Sequence, residues 1–461
     1  MRGCRTDRAK GGPVKRLILI PLFVCLACSG SFASDIESRV KAMEDILKKQ
    51  QQMIDAQQKV IEQLKGELEA TAKKQETLTV AEKPASPGTG PKPSGASALF
   101  GGSFMTNPYI SFILDTNFYS SSINERELAN RGIPGYSNLG FEQKKGFNLT
   151  AGELFLFAPV DPYFNLYATI PFTENGASIE EAFFLTTDLP QGFQVKGGKF
   201  KSNFSRLNAQ HPHTWDFADL PLAYRAFLGG EGLIEKGAQL TYLPGLPFYT
   251  ILGMEVLQGE NEVIFNKNAT GGPHGFTGFV KQSIDVGDYS TLLFGPYAMG
   301  GQTRTTTVAN GAFFRGNSQL YGFEAVYKWK PSKYKSLIIQ GEYMVRKQDG
   351  TLSNALGAAS GLTRAQDGAY VQALYQVDRW RFGARYDRLS IFNSEYDLGG
   401  VDRQFGPAPW RATGAVELNL SEFSRLRLQY NYDRSGGDGK TNNEVYLQLI
   451  LGIGAHSAHA F

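Results

Sequence analysis

Residues 425–434 read RLRLQYNYDR, and their alternation decides the class of fold. Leu426, Leu428, Tyr430 and Tyr432 fall on one parity; Arg425, Arg427, Gln429, Asn431 and Asp433 fall on the other. A period of two is that of a strand, whose side chains point to opposite faces by turns. One face is oily and the other charged. The pattern recurs in 321–330 (YGFEAVYKWK) and 380–387 (WRFGARYD), and in the tail, where Val445, Leu447, Leu449, Leu451 and Ile453 share a parity. Aromatics at 12% and 52 glycines suit many strands and turns.

A water-soluble sandwich also alternates; the connections separate the two readings. Sixteen candidate strands occur near 109–119, 147–158, 163–172, 178–187, 193–201, 236–243, 248–257, 276–286, 289–300, 319–330, 335–346, 368–377, 379–388, 410–420, 425–434 and 443–453. Short joins such as PVDP, LPGLP, VGD and SEFS trade places with longer ones at 120–146, 202–235, 258–275, 301–318, 347–367 and 389–409. One rim of tight turns and one of long loops is the organisation of an outer-membrane barrel. Closure leaves no unpaired backbone edge in hydrocarbon. The expectation is an all-β transmembrane barrel over 106–461, with about 16 antiparallel strands (16–18). Trp329, Trp380 and Phe423 suit the aromatic girdle at the short-turn rim and Trp410 the other.

Ahead of the barrel, three segments are expected. Residues 1–33 pair a basic stretch with the apolar run LILIPLFVCLA and the small-x-small site Ser31-Phe32-Ala33, as a signal peptide does. A lipoprotein signal ending at Cys28 is the alternative. Removing the leader's six basic and one acidic residue leaves 41 basic against 43 acidic, and takes all three cysteines with it. The remaining chain has no disulfide framework and no thiolate metal site. Within 34–78, Val40, Leu47, Ile54, Ile61 and Leu68 are seven apart, the rhythm of a periplasmic α-helical coiled coil. It would join subunits, a homotrimer in preference to a dimer. Residues 79–105, with PASPGTGPKPSGAS, make a linker.

The stretches IEEAFFLTTDLPQGFQVKGGKFKSNFSRLN, LGGEGLIEKGAQLTYLP, LNLSEFSRLRLQYNYDRS and GIGAHSAHAF resemble porin-like outer-membrane proteins of the phosphate-selective porin type, and barrels that carry an N-terminal coiled coil. That resemblance implies a sixteen- or eighteen-stranded channel of a Gram-negative outer membrane, often trimeric, passing small polar or anionic solutes such as phosphate-like oxyanions. A terminal aromatic, Phe461, resembles the signature that barrel-assembly machinery recognises; Ser457 and His459 depart from its apolar pattern.

Parity places Lys328, Arg346, Arg381, Arg385, Arg411, Arg425 and Arg427 toward the lumen, with Glu324, Glu342, Asp387, Glu417, Asp433 and Glu444. Such a lining keeps a channel hydrated and sets a transverse field. The 202–235 join is long and carries aromatics and leucines enough to pack. Folded inward, it would form a constriction, with Arg206, His211, His213, Arg225 and Glu231 as candidates. His211 and His213, with Asp216 and Asp219, are also candidate metal ligands, imidazole and carboxylate being competent donors; an ordinary packed loop is the alternative. There is no G-x-S-x-G elbow, H-E-x-x-H or P-loop. No enzyme, cofactor or nucleic-acid partner is therefore expected. The leading function is an outer-membrane porin for passive diffusion. Its rival is a structural barrel that sheaths or docks a periplasmic, electron-transfer partner.

Overall fold

The computed structural model describes residues 109–137, 143–265, 271–306, 313–354 and 356–454. The leader, coiled coil and linker, Cys28, and the terminal Phe461 lie outside the described residues.

Seventeen strand segments form one antiparallel sheet. They are β1 (Tyr109–Ser121), β2 (Gly146–Pro159), β3 (Phe164–Thr173), β4 (Gly176–Ala177), β5 (Glu181–Thr186), β6 (Phe193–Lys201), β7 (Ile234–Tyr242), β8 (Tyr249–Leu257) and β9 (Gly275–Asp285). The far half is β10 (Ser290–Thr306), β11 (Phe313–Ser332), β12 (Lys335–Ser353), β13 (Ala359–Val377), β14 (Trp380–Leu398), β15 (Trp410–Ser421), β16 (Ser424–Asp433) and β17 (Asn442–Gly454). Both β4 and β5 pair with β3, so they are two pieces of one stave and the wall has sixteen. Each stave pairs with the next, and β1 pairs with β17, Leu114 opposite Leu451 and Phe118 opposite Leu447. The barrel is closed.

The alternation read in β16 holds residue by residue. Arg427, Gln429, Asn431 and Asp433 are buried, while Leu426, Leu428, Tyr430 and Tyr432 are exposed. Apolar side chains cover the outside, and Phe423 and Trp380 stand exposed beside the short turns as the girdle requires. Trp329 is half-buried near the same end, and Trp410 stacks on Tyr432 at 5.5 Å.

The staves β10 to β14 are longer than the sequence suggests, at 17, 20, 19, 19 and 19 residues. A tilted strand crosses a bilayer in about 9–11 residues. Much of 301–318, 347–367 and 389–409, expected as loops, is therefore ladder. Above the oily belt the outward face of these strands turns polar, with Arg315, Asn317, Lys347, Asp349 and Thr363 exposed, so the oily alternation that marks a strand fades while the hydrogen bonding continues.

Candidate functional site: the inward segment and the gap beside it

Residues 202–233 fold back into the barrel, and local hydrogen bonds define their two ends. The Asn208 amide donates to the carbonyls of Ser202 (2.8 Å) and Leu233 (3.0 Å), and its oxygen accepts from the Leu233 N–H at 2.8 Å. Gly232 sits at φ +75° beside this staple, where a Cβ would lie 2.4 Å from Asn208 Oδ1. Only glycine satisfies both demands.

The segment's short helix α1 (Leu222–Phe227) buries Leu222, Ala223, Tyr224, Ala226 and Phe227. Pro221 precedes it and offers no capping side chain. The wall supplies the caps. Asp387 accepts from the Leu222 N–H at 3.0 Å, and Arg346 donates to the Ala226 carbonyl at 3.2 Å. Anion at the N-terminus and cation at the C-terminus match the helix's unsatisfied groups. Tyr224 adds a bond to Glu342 at 3.0 Å.

Charge pairing completes the tether. Asp219 accepts from Arg385 at 2.7 Å, Arg411 at 2.6 Å and Gln429 at 2.8 Å. Asp216 accepts from Arg381 at 2.6 Å. Arg427 reaches the Trp215 carbonyl at 2.7 Å and Glu417 at 2.8 Å. Burial alone would raise the pKa of Asp219, but Arg411 and Arg385 outweigh it and hold the carboxyl well below the usual range. Asp216 is lowered in the same way, chiefly by Arg381 against burial.

A different set of residues faces the gap left on the side of β1–β6. The turn Pro212–Thr214 places the rings of His211 and His213 in a stack, 5.7 Å apart. His211 Nδ1 lies 3.3 Å from Glu180 and 3.8 Å from Glu153; its Nε2 lies 2.8 Å from Glu181. His213 Nδ1 is 3.4 Å from Glu153, and Lys201 is 3.1 Å from Glu180. Consecutive strand residues point to opposite faces. Glu180 and Glu181 both reach His211 because the stave breaks between Ala177 and Glu181. Burial disfavours the His211 imidazolium, yet Glu180 and Glu181 prevail and raise its pKa to about 10.

Three cavities meet around this cluster. One of about 450 Å³ is lined by Glu153, Glu180 and His213, and opens toward the long loops. Two larger ones, of about 1350 and 1140 Å³, lie toward the short turns; His213 borders the first, and Glu181 and His211 the second.

Of the thirteen charged residues that parity assigns to the pore, most are buried. Arg346, Arg385, Arg411, Arg427, Glu324, Glu342, Asp387, Glu417, Asp433 and Glu444 are so, largely beneath the segment. Arg381, Lys328 and Arg425 keep partial exposure, Arg425 bordering the 1350 Å³ cavity. Of the constriction candidates, Arg206 is turned to the wall through Glu324 (2.7 Å, from its N–H) and Gln340 (2.8 Å). Arg225 and Glu231 border the smaller cavity with His213. Asp216 and Asp219 do not join the histidines; arginines have taken them. The residues that do, Glu153, Glu180 and Glu181, escaped the sequence reading because they lie on early staves. The parity of LTAGELFLF around Glu153 was the available signal.

No family model matches the sequence. Among solved structures, the chain is similar to OmpT, an outer membrane protein of Vibrio cholerae (11% identity, 75% of this chain, 99% of that one, TM-score 0.45). It is likewise similar to an anion-selective porin from Comamonas acidovorans (11%, 75% and 99%, 0.45) and to the outer membrane channel DcaP of Acinetobacter baumannii (13%, 75% and 96%, 0.47). In sequence, an uncharacterised protein of Aquifex aeolicus (strain VF5) is 42% identical over 379 residues, spanning 77% of this chain and 80% of that one. Likeness of that depth and extent makes this chain a member of the same family as the Aquifex aeolicus protein.

Proposed function

We propose that the protein is an outer-membrane channel through which small polar solutes diffuse passively, past a constriction made by residues 202–233. One observation carries this reading: a closed barrel, oily outside, whose inward segment leaves a gap lined by charged side chains along one wall. The tethering arginines are engaged by Asp216 and Asp219 and by wall carboxylates. The smaller cavity carries Asp115, Glu153, Glu180 and Glu231 against Lys199 and Arg225, and the two larger ones carry Lys196, Arg206, Lys281, Arg379, Arg381 and Arg425 against Glu181, Asp285, Asp378 and Glu422. Acidic side chains favour cations and basic ones anions. The charges therefore support small polar solutes of either sign and do not single out the phosphate-like anions that the family resemblance implies. A filled lumen also speaks against the sheath reading, since a sleeve needs one free of loops. We further propose a homotrimer joined through the coiled coil in the periplasm, assembled by recognition of Phe461.

Planar bilayers holding the purified, folded protein test the channel. A salt gradient should give discrete conductance steps and a reversal potential close to zero, as a lining of both signs requires. Absence of ion flow removes the channel reading; strong selectivity of either sign removes the charge argument alone.

A further inference from the structure

We propose that Glu153, Glu180 and His211 form a binding site for one divalent transition-metal ion of zinc type, with His213 beside them, at the junction of the three cavities. The three ligands come from three separate parts of the chain, and they converge. Glu153, Glu180 and His211 each offer one donor atom, and the three donors lie within 4.8 Å of one another. His211 Nδ1 is 3.3 Å from the Glu180 oxygen and 3.8 Å from the Glu153 oxygen, and His213 Nδ1 is 3.4 Å from that same Glu153 oxygen. Nitrogen and oxygen ligands at about 2.1 Å from a tetrahedral ion stand about 3.4 Å apart. The spacing is that of a ligand set.

The surroundings add what a ligand set needs. Glu181 sits 2.8 Å from His211 Nε2, the far nitrogen of the ring. A carboxylate there holds the proton on Nε2, turns the Nδ1 lone pair inward and raises the basicity of the ligand. An imidazole ligand favours a transition ion over magnesium or calcium, which prefer all-oxygen shells. The bordering cavities give an ion a way in. The site stands whether or not the barrel conducts.

Calorimetric titration of the full chain in detergent micelles with zinc chloride tests it. One ion should bind per chain at about micromolar or tighter, with magnesium chloride giving no comparable signal. His211→Ala should abolish that binding. Glu181→Gln, which leaves every ligand in place, should weaken it about 10- to 100-fold. His274→Ala should change nothing. Heat-dependent mobility on a denaturing gel confirms that each variant is folded; if His211→Ala does not fold, the Glu181→Gln arm decides. Zinc bound equally by wild type and the folded variants, magnesium bound as tightly as zinc, or no zinc bound below about millimolar would each overturn the site.

Discussion

Asp219 shows how one side chain decides whether a lumen is open or narrowed. Its two oxygens receive Arg385 and Arg411 from neighbouring staves, and Gln429 and Asn431 from beyond. Deleting one partner of a buried ion pair leaves charge uncompensated and costs about 3–5 kcal/mol. Asp387 still faces both arginines, at 3.1 and 3.4 Å, so Asp219→Ala should cost about 3 kcal/mol, the low end of that range. The loss falls on the segment's attachment and spares the ladder. Trypsin should then cut the segment at Arg206 or Arg225 while the barrel stays folded, and single-channel conductance should rise. A variant as protease-resistant as wild type would show that the apolar packing of α1 alone holds the segment.

At the scale of the element, the same tether has a predictable acid limit. Arg381 faces Asp216, and Arg385 and Arg411 face Asp219, with Asp387 beside them. Both loop carboxyls have their pKa depressed in the folded protein from the ordinary 3.8. A depressed carboxylate contributes stability that is fully present above its unfolded pKa and is lost as pH falls through the folded one. Conductance should therefore stay level from pH 8 to about 4 and rise only in stronger acid. A step centred between about pH 5 and 7 would mean that other groups hold the segment. The segment also marks the limit of what the sequence discloses. Its length, aromatics and histidines announce an inward fold. Its partners stay hidden, because Asp387 capping Leu222 and Arg346 capping Ala226 are contacts across more than a hundred residues. Parity says that these wall charges point inward. It cannot say that they meet a loop and not water, nor that a break in one stave turns Glu180 and Glu181 the same way.

Across the whole molecule, legibility follows the solvent. Sixteen staves, their order and their inward parity are readable wherever lipid demands an oily face on one side only, as in β16. Where β10 to β14 run past the belt, the outward face turns polar and the signal fades although the strands continue. The same contrast can be measured. Leu428 lies midway along β16 and is exposed on the outer face, whereas Asn443, on the outer face of the neighbouring β17, lies close to the long-loop end. Charge facing hydrocarbon at the midplane costs about 2–4 kcal/mol, falling to about 0–1 near the interface. In lipid vesicles, urea unfolding followed by tryptophan fluorescence should show Leu428→Arg destabilised by about 2–4 kcal/mol and Asn443→Arg by less than about 1. Both substitutions leave the inward face, the tether and the histidine cluster untouched, so the difference reports depth in the bilayer. Equal costs at the two positions would mean that no oily slab separates them, and that the barrel's outer face meets something other than a membrane.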